Sequence, residues 1–222
     1  MYKRQPNNIA IVPLIEESNL PYVAPLTGAS SLRKPGMRNV FHVRASYTDE
    51  TQRLVHKLVT MGIKELAIVY LDNGFGKEVL GDATRALEAQ GVKAVAQVGL
   101  ATDGKNLAEV VHQVTASKPA AVLLGTAGAA SVGLIAALKK ASPMLPLAGL
   151  SVTLTSDGLK GLGAAGSGLA LTMVFPDPYR ARTPVVRDYQ AAMRAIGQQE
   201  FSLGSLETVS YTHLTLPTNR EV

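Results

Sequence analysis

Small and hydroxyl-bearing residues follow several apolar runs of this sequence, and they are the residues best suited to hold a ligand. They form four segments, which read PLTG (25–28), DNGFG (72–76), GTAG (125–128) and GLSVT (149–153). Small side chains let backbone N–H groups approach a ligand, and a helix that begins beside them favours its anionic part. The segments therefore predict a binding site. The alternative is that Gly and Ser simply form good turns between strands and helices.

Residues that could perform catalysis or bind a metal are sparse. His42, His56 and His112 are not spaced like metal ligands, and we interpret them as structural or solvated. Cys is absent, which excludes disulfides, thiolate catalysis and Cys-ligated metals. No G-x-S-x-G nucleophile motif and no phosphate-binding loop motif occurs. We therefore predict no catalytic residue, no metal and no cofactor.

Three acidic residues and one glycine-rich segment need an interpretation. Asp49 and Glu50 are adjacent, and we interpret both as first-turn charges that complement a helix dipole. Asp72 ends an apolar run, and we expect it to cap the next helix, with ligand contact as the alternative. The segment GLGAAG (161–166) resembles a dinucleotide fingerprint, but it follows a helix-like stretch and precedes a strand. We interpret it as a turn.

These residues must be positioned by alternating strands and helices. Short β-rich runs bounded by breakers occupy 20–26, 39–46, 65–71, 92–100, 120–126, 145–151 and 168–175. Helical periodicity occupies 49–62, 76–91, 106–119, 129–141 and 183–197. Ser46 and Asp49 resemble a capping box, and Thr183 before Pro184 suits a helix start. The alternation predicts an α/β fold with a parallel, doubly wound sheet.

Composition narrows the class of protein and partner. The chain has 222 residues, of which 46% are hydrophobic and 18% are charged, a balance typical of globular proteins. The formal net charge of +5 is modest, and Lys and Arg form no run. We therefore predict no nucleic-acid partner. No apolar run approaches the roughly 20 residues of a membrane span.

The DNA sequences that encode the two ends of the chain can be reverse complements of each other. Codons for residues 1–5 (MYKRQ) can be chosen so that their reverse complement, read one frame over, encodes residues 208–212 (TVSYT). This DNA word resembles a transposon-end adapter used in sequencing, whose continuation encodes 213–218. We expect 1–5 and 208–222 to be adapter-derived, with a native insert at 6–207. The alternative is a native final strand that carries His213.

The order of motifs in the insert carries a family resemblance. The segments NLPYVAPLTGASSLRKP (19–35), NVFHVRASYTDET (39–51) and ELAIVYLDNGFGKEVL (65–80) come first, and AAVLLGTAGAASVGLIAALKKA (120–141) and LPLAGLS (145–151) follow. Together they resemble type I periplasmic ligand-binding proteins. The subgroup is that of leucine/isoleucine/valine- and amide-binding receptors of ABC importers.

The resemblance implies a fold of two Rossmann-like lobes. Each lobe of this family has three layers, with a parallel sheet between two layers of helices, and the ligand is captured between the lobes. On this basis residues 6–45 are a partial lobe 1, residues 46–175 are lobe 2, and residues 176–207 return to a truncated lobe 1. We therefore expect an incomplete first lobe.

The resemblance also implies ligand-binding positions. Leu26, Thr27 and Gly28 match the loop whose backbone and hydroxyl hold a ligand carboxylate. Phe75 matches a position where the family often has an aromatic residue over the ligand. Ala127 matches another position that is often aromatic, so we expect one wall of the site to be lost.

Ser151 departs from the pattern of the amino-acid receptors. It falls where they commonly place an acid for the ligand's α-ammonium group. Because a Ser cannot neutralise an ammonium ion, and a buried unpaired charge is costly, the substitution disfavours a zwitterionic amino acid. We expect a carboxylate or amide ligand without an amine, a class that includes aromatic ligands.

The function implied by the resemblance is that of a solute receptor. The parent protein would be the periplasmic substrate-binding component of an ABC importer, with a small-molecule ligand, a permease partner, hinge closure and no catalysis. Two alternatives remain open. One is a cytosolic ligand-sensing regulatory domain with the same fold, and the other is an α/β enzyme.

Overall fold

The computed structural model of the protein describes residues 4–202 and residue 206. The adapter-derived segments predicted at 1–5 and 208–222 lie outside these residues, except for Arg4 and Gln5 at the start of the first helix. The alternative final strand with His213 lies outside them as well. The adapter interpretation therefore stays a prediction.

Seven α-helices and seven strands follow one another along the described part of the chain, and from β2 onward they alternate. In order they are α1 (Arg4–Ser18), β1 (Tyr22–Val23), β2 (Val40–Phe41), α2 (Tyr47–Thr60), β3 (Leu66–Leu71), α3 (Gly74–Glu88), β4 (Ala96–Leu100), α4 (Leu107–Ala116), β5 (Ala121–Gly125), α5 (Ala129–Ala141), β6 (Leu147–Gly149), α6 (Ser156–Leu162), β7 (Leu169–Leu171) and α7 (Pro184–Ala195). Each β-rich run of the sequence contains one strand, which confirms the α/β prediction. Helix α1 was not anticipated, because its apolar residues have no helical periodicity and Pro13 lies inside it.

The chain separates into two compact units. The first unit is Ser46–Thr172, and the second contains the described residues up to Ala45 and from Met173 onward. The assignment of these units to the lobes of a receptor stays a prediction.

The first unit is built on one parallel sheet with the strand order β4-β3-β5-β6-β7. In register, Val69 of β3 lies between Val98 of β4 and Leu124 of β5. All residues of β5 and β6 are buried, which explains their continuous apolar sequence. Fifteen buried side chains from the strands and the helices form one hydrophobic core.

Helix α2 begins and ends as its sequence predicts. The Ser46 hydroxyl accepts a hydrogen bond from the Asp49 N–H, and the Asp49 carboxylate accepts one from the Ser46 N–H, which completes the capping box. At the other end Gly62 adopts a φ of 87° and donates to Val59, while Ile63 donates to Leu58. These two bonds are those of a Schellman motif, which favours glycine at the left-handed position.

The cap of helix α3 differs from the prediction. The Asn73 side chain, and not that of Asp72, accepts a hydrogen bond from the Gly76 N–H at 2.9 Å. Asp72 instead forms an exposed ion pair with Lys77 at 2.9 Å. This hydrogen-bonded carboxylate raises the pKa of the Lys77 ammonium group. The expected capping role of Asp72 is therefore wrong, because the helix begins one residue later than that role requires.

The glycine-rich segment 161–166 is a turn, as interpreted. It contains the end of α6 and a short 3-10 helix, Gly163–Gly166, which leads into β7. A fingerprint for a dinucleotide would have to connect a strand to the start of a helix, and this segment does the reverse.

The second unit contains much shorter strands. β1 and β2 pair in parallel, with Tyr22 opposite Val40. Helix α7 has Pro184 at its start, as predicted, but the Thr183 side chain makes no capping hydrogen bond. Val186 and Tyr189 of this helix are fully buried and cluster with Leu206. No helix among the described residues of either unit has both the length and the apolar character to cross a membrane.

Candidate functional site

The candidate site of the first unit lies at one edge of its sheet. Because the strands are parallel, their carboxyl ends meet at the same edge, which we call the carboxyl edge. Phe75 follows β3, Ala127 follows β5 and Ser151 follows β6, and these three strands are neighbours in the sheet. The fold therefore brings three of the residues singled out by sequence to one edge.

An aromatic pair lies at this edge. The rings of Phe75 and Tyr47 meet edge to face, with 5.0 Å between their centroids and 74° between their planes. Tyr47 is the first residue of α2 and is buried, whereas Phe75 is half-buried. Next to Phe75, Gly76 packs so closely on β3 that a Cβ atom there would overlap the backbone of Leu71. A glycine at this position thus lets α3 begin directly against the strand.

A buried carboxylate joins the ends of two other strands. The Glu50 carboxylate accepts hydrogen bonds from the Ser151 N–H at 2.9 Å, from the Ser151 hydroxyl at 3.0 Å and from the Thr172 hydroxyl. Ser151 follows β6 and Thr172 follows β7, while Glu50 lies in the first turn of α2. We call Glu50, Ser151 and Thr172 the Glu50 cluster.

The environment of Glu50 adds to the sequence interpretation. Glu50 lies in the first turn of α2, as interpreted, but it is only 5% exposed. Tyr47, Glu50, Leu54 and Leu58 recur at helical spacing and are all buried, so Glu50 lies on the apolar stripe of α2. That spacing is the signal by which the sequence could have revealed its burial. Asp49, by contrast, acts at the helix start as expected.

An amine-bearing ligand is therefore no longer disfavoured at Ser151. It was disfavoured because Ser151 stands where related receptors place an acid, but the carboxylate of Glu50 is in direct hydrogen-bond contact with Ser151. The acid comes from the neighbouring helix instead of from the loop that holds Ser151. The sequence did not reveal the negative charge of Glu50 beside Ser151, because the two residues are distant in sequence.

The loop after β5 is ordered by local hydrogen bonds. The buried Ser131 hydroxyl donates to the Thr126 hydroxyl at 2.8 Å, and the Gly128 N–H donates to the Thr153 carbonyl at 3.2 Å. Gly128 has a φ of 72°, which favours glycine. These contacts hold Ala127 half-buried against the core, with only a methyl group to offer a ligand.

The predicted carboxylate-binding loop belongs to the second unit. Thr27 is fully buried, and its hydroxyl accepts a hydrogen bond from the Ala29 N–H at 3.2 Å. The Thr27 N–H donates to the Pro25 carbonyl at 2.7 Å, which tightens the loop. Leu26 is half-buried and Gly28 is buried. These contacts make the loop compact, and its role in binding stays a prediction.

The histidines do not assemble a site. His56 and His112 are exposed on their helices. The Nε2 atom of His42 lies 2.9 Å from the Leu32 carbonyl oxygen, which makes it the protonated nitrogen. Burial lowers the pKa of His42, and the positive charge of Arg33 lowers it further against the effect of that hydrogen bond. Across residues 4–202 and 206, no three His, Asp or Glu side chains come together in a way that would suit a metal.

A cavity of about 480 Å³ lies at the opposite edge of the sheet. Pro146 and Gly168, which line it, immediately precede β6 and β7. The Lys139 ammonium group, also in its wall, donates to the carbonyls of Pro143 and Leu145. Lys139 therefore supports the loop before β6, and the cavity is separate from the carboxyl edge.

Known proteins resemble this chain in both sequence and fold. The sequence profile of a family described as periplasmic binding proteins matches residues 6–216, including 208–216 of the predicted adapter segment. No curated protein sequence matches the chain. A possible leucine/isoleucine/valine-binding protein from Rhodopirellula baltica has a TM-score of 0.81 and 25% identity over 98% of this chain.

Two further solved structures are similar. An extracellular ligand-binding receptor from Verminephrobacter eiseniae has a TM-score of 0.77 and 28% identity over 91% of the chain. A substrate-binding periplasmic protein from Ralstonia solanacearum has a TM-score of 0.77 and 27% identity over 89%. The chain spans 56–60% of the length of these three proteins. With its α/β architecture and parallel sheets, the chain belongs to the periplasmic binding protein family.

Proposed function

We propose that the chain is part of the substrate-binding component of an ABC importer. It captures a small carboxylate, amide or amino-acid-like solute and performs no chemical reaction on it. The observation that supports this most strongly is the carboxyl edge of the first unit. There an aromatic pair and two hydroxyl groups, those of Ser151 and Thr172, come from separate segments of the chain. Such a mixture of apolar wall and few polar groups is typical of small-molecule sites.

The mode of capture in this proposal is hinge closure. The chain forms two compact units, and its family consists of solute-binding proteins. In the proposed mechanism the ligand lies between two lobes, with Leu26, Thr27 and Gly28 on one and Phe75, Ala127 and Ser151 on the other. The ligand contacts both lobes only in the closed state. Ligand binding therefore stabilises the closed state relative to the open one.

The proposal extends to location and partner. A receptor of this kind works in the periplasm and delivers its ligand to an ABC permease. The proposal includes no metal and no cofactor. Because the chain spans 56–60% of the similar solved proteins, these statements concern the complete gene product.

Ligand-induced stabilisation of the complete gene product tests this function. More distant structures of the same fold hold benzoate in R. palustris, at 16% identity, and valine in Thermus thermophilus, at 20% identity, so both compounds belong in the panel. A ligand at a hundred times its Kd stabilises the native state by about 2.7 kcal/mol, which raises Tm by several degrees. We expect such a rise for at least one amino acid, amide or aromatic acid. Turnover of a panel member would instead support an enzyme.

A further inference from the structure

The hydrogen atoms of two hydroxyl groups at the carboxyl edge are committed to one carboxylate. The Ser151 hydroxyl donates to Oε1 of Glu50 at 3.0 Å, and the Thr172 hydroxyl donates to Oε2. The Ser151 N–H donates to Oε2 as well, at 2.9 Å. Each hydroxyl has a single hydrogen and two acceptor lone pairs. Both oxygens can therefore face a ligand only as acceptors.

The two residues that carry these hydroxyls are less buried than Glu50. Ser151 and Thr172 are half-buried, whereas Glu50 is only 5% exposed. A ligand at this part of the carboxyl edge would therefore meet Ser151 and Thr172 before the carboxylate. A ligand carboxylate at the same place would face lone pairs backed by a negative charge, which is unfavourable.

The aromatic pair favours the same kind of ligand group. Tyr47 and Glu50 lie three residues apart in α2, so they share one side of its first turn. Tyr47 contacts Phe75, and aromatic faces carry a partial negative charge that attracts N–H groups and cations. The first turn of α2 therefore combines an aromatic ring with a carboxylate, and both kinds of group attract a donor more than an anion.

We infer that the ligand presents a hydrogen-bond donor, namely an amine, an amide NH₂ or a hydroxyl, to Ser151 and Thr172, and that Glu50 selects for this donor through them. Glu50 is a positioning residue in this scheme, because it acts through the two hydroxyls. The inference rests on the proposed receptor function and specifies the ligand class at one part of that site.

The substitution Glu50→Gln reverses part of this polarity. A Gln side chain offers one acceptor oxygen and an NH₂ donor where Glu offers two acceptor oxygens. At least one of the hydroxyls must then accept a hydrogen bond from Gln, and its own hydrogen becomes available to the ligand. We therefore expect Glu50→Gln to weaken binding of donor-bearing ligands and to improve binding of acceptor-only ligands.

Matched ligand pairs test this inference in the complete gene product by calorimetric titration. The pairs are benzamide with benzoate and valine with 3-methylbutanoate. The first member of each pair carries an N–H donor group that the second lacks, and its net charge is one unit more positive. For the pair that binds, we expect the donor-bearing member to bind about tenfold tighter, the effect of one well-made hydrogen bond. In Glu50→Gln this ratio falls to near unity. The exposed Glu88→Gln in α3 changes the charge equally and keeps the wild-type ratio.

A second variant and a second measurement distinguish a specific effect on binding from misfolding of the variant. Thr172→Val keeps the shape of the side chain and removes one acceptor, so it reduces the same ratio by a smaller factor. Slow amide hydrogen exchange in the buried strand β5 reports whether each variant retains the native fold. In Glu50→Gln we expect this exchange to stay slow while exchange at Ser151 accelerates, because the Ser151 N–H loses a carboxylate partner.

The possible results separate the inference from the proposed function. Tighter binding of the acceptor-only member by the wild type, or an unchanged ratio in both Glu50→Gln and Thr172→Val, overturns the inference and leaves a receptor function intact. Binding of no amino acid, amide or aromatic acid at all contradicts the proposed function, and the inference with it.

Discussion

The two units of the chain differ in the size of the hydrophobic core that their described residues form. The first unit has a five-stranded sheet and a core of fifteen buried hydrophobic side chains. Among the described residues of the second unit, the two strands have two residues each, and Val186, Tyr189 and Leu206 form a small buried cluster. Since burial of apolar area is the main stabilising term in folding, we expect the first unit to have the greater local stability.

This difference also shows which part of a binding site a sheet can fix. In the first unit, parallel strands end at one edge and place Phe75, Ala127 and Ser151 there from distant parts of the sequence. In the second unit, the loop of Thr27 contains hydrogen bonds within five residues, from Pro25 to Ala29. The sheet edge is thus positioned by long-range packing, whereas local hydrogen bonds contribute to the shape of the loop.

Substitution of one buried leucine in each core should give the largest effects. Leu134→Ala in α5 removes a fully buried side chain from the large core, and we expect a loss of about 3–5 kcal/mol in the free energy of unfolding. Leu206→Ala should cost less, about 2 kcal/mol, because a small cluster collapses more easily around a cavity. Urea unfolding followed by circular dichroism measures both.

Leu14→Ala is the control for this comparison. Leu14 is 63% exposed in α1, and we expect its replacement to change stability by no more than about 0.5 kcal/mol. Equal losses for Leu134→Ala and Leu206→Ala would contradict the view that the two units differ in core size and stability.

Substitution of Gly76 tests how closely the carboxyl edge is packed. Because a Cβ atom at Gly76 would overlap the Leu71 backbone, we expect Gly76→Ala to cost about 1–3 kcal/mol. Gly74→Ala, two residues earlier, meets no atom within 4 Å and should be close to neutral. Thermal unfolding of the two variants gives the comparison, and equal Tm values would show that α3 tolerates a shift at its start.

The smallest expected effect is a pH dependence in the second unit. The pKa of His42 lies below its usual value of 6.5 in the folded state, chiefly because the ring is partly buried. Its protonation would also put a hydrogen on Nδ1, which is buried and has no partner among the described residues. The unfolded chain therefore binds the proton more readily, and stability falls as the pH falls below 6.5 towards the lower folded pKa.

His42→Gln separates this effect from general acid denaturation. The Gln amide can keep a donor to the Leu32 carbonyl but does not titrate. We expect the decline in Tm just below pH 6.5 to be smaller in His42→Gln than in the wild type. Identical pH profiles would show that His42 does not set the acid limit of this unit.

The spacing of apolar residues and the breakers that bound the apolar runs predicted most of the fold. The strands were recognised because strands covered on both faces have continuous apolar sequences. The LAIVY of β3 and the AVLLG of β5 are of this kind. Helix α1 could not be predicted in this way, since it has no apolar face and contains Pro13. Its sequence lacks the spacing of apolar residues that indicates a helix.

The candidate site was predictable only in part. Loops after strands could be located, so Phe75 and Ser151 were identified. The hydrogen bonds between Glu50 and Ser151 could not be, because they join residues 101 positions apart, and only the sheet order brings them together. The cap of α3 was missed for a local reason, since Asp72 and Asn73 are adjacent and both suit that position.

A crystal structure of the complete gene product with its best-binding panel ligand would test the proposed ligand contacts most directly. We predict that the ligand lies against Phe75 and places an N–H or O–H donor about 3 Å from the Ser151 hydroxyl oxygen. A ligand bound away from the carboxyl edge, for example in the cavity beside Lys139, would contradict it. So would a ligand carboxylate in contact with Ser151 and Thr172.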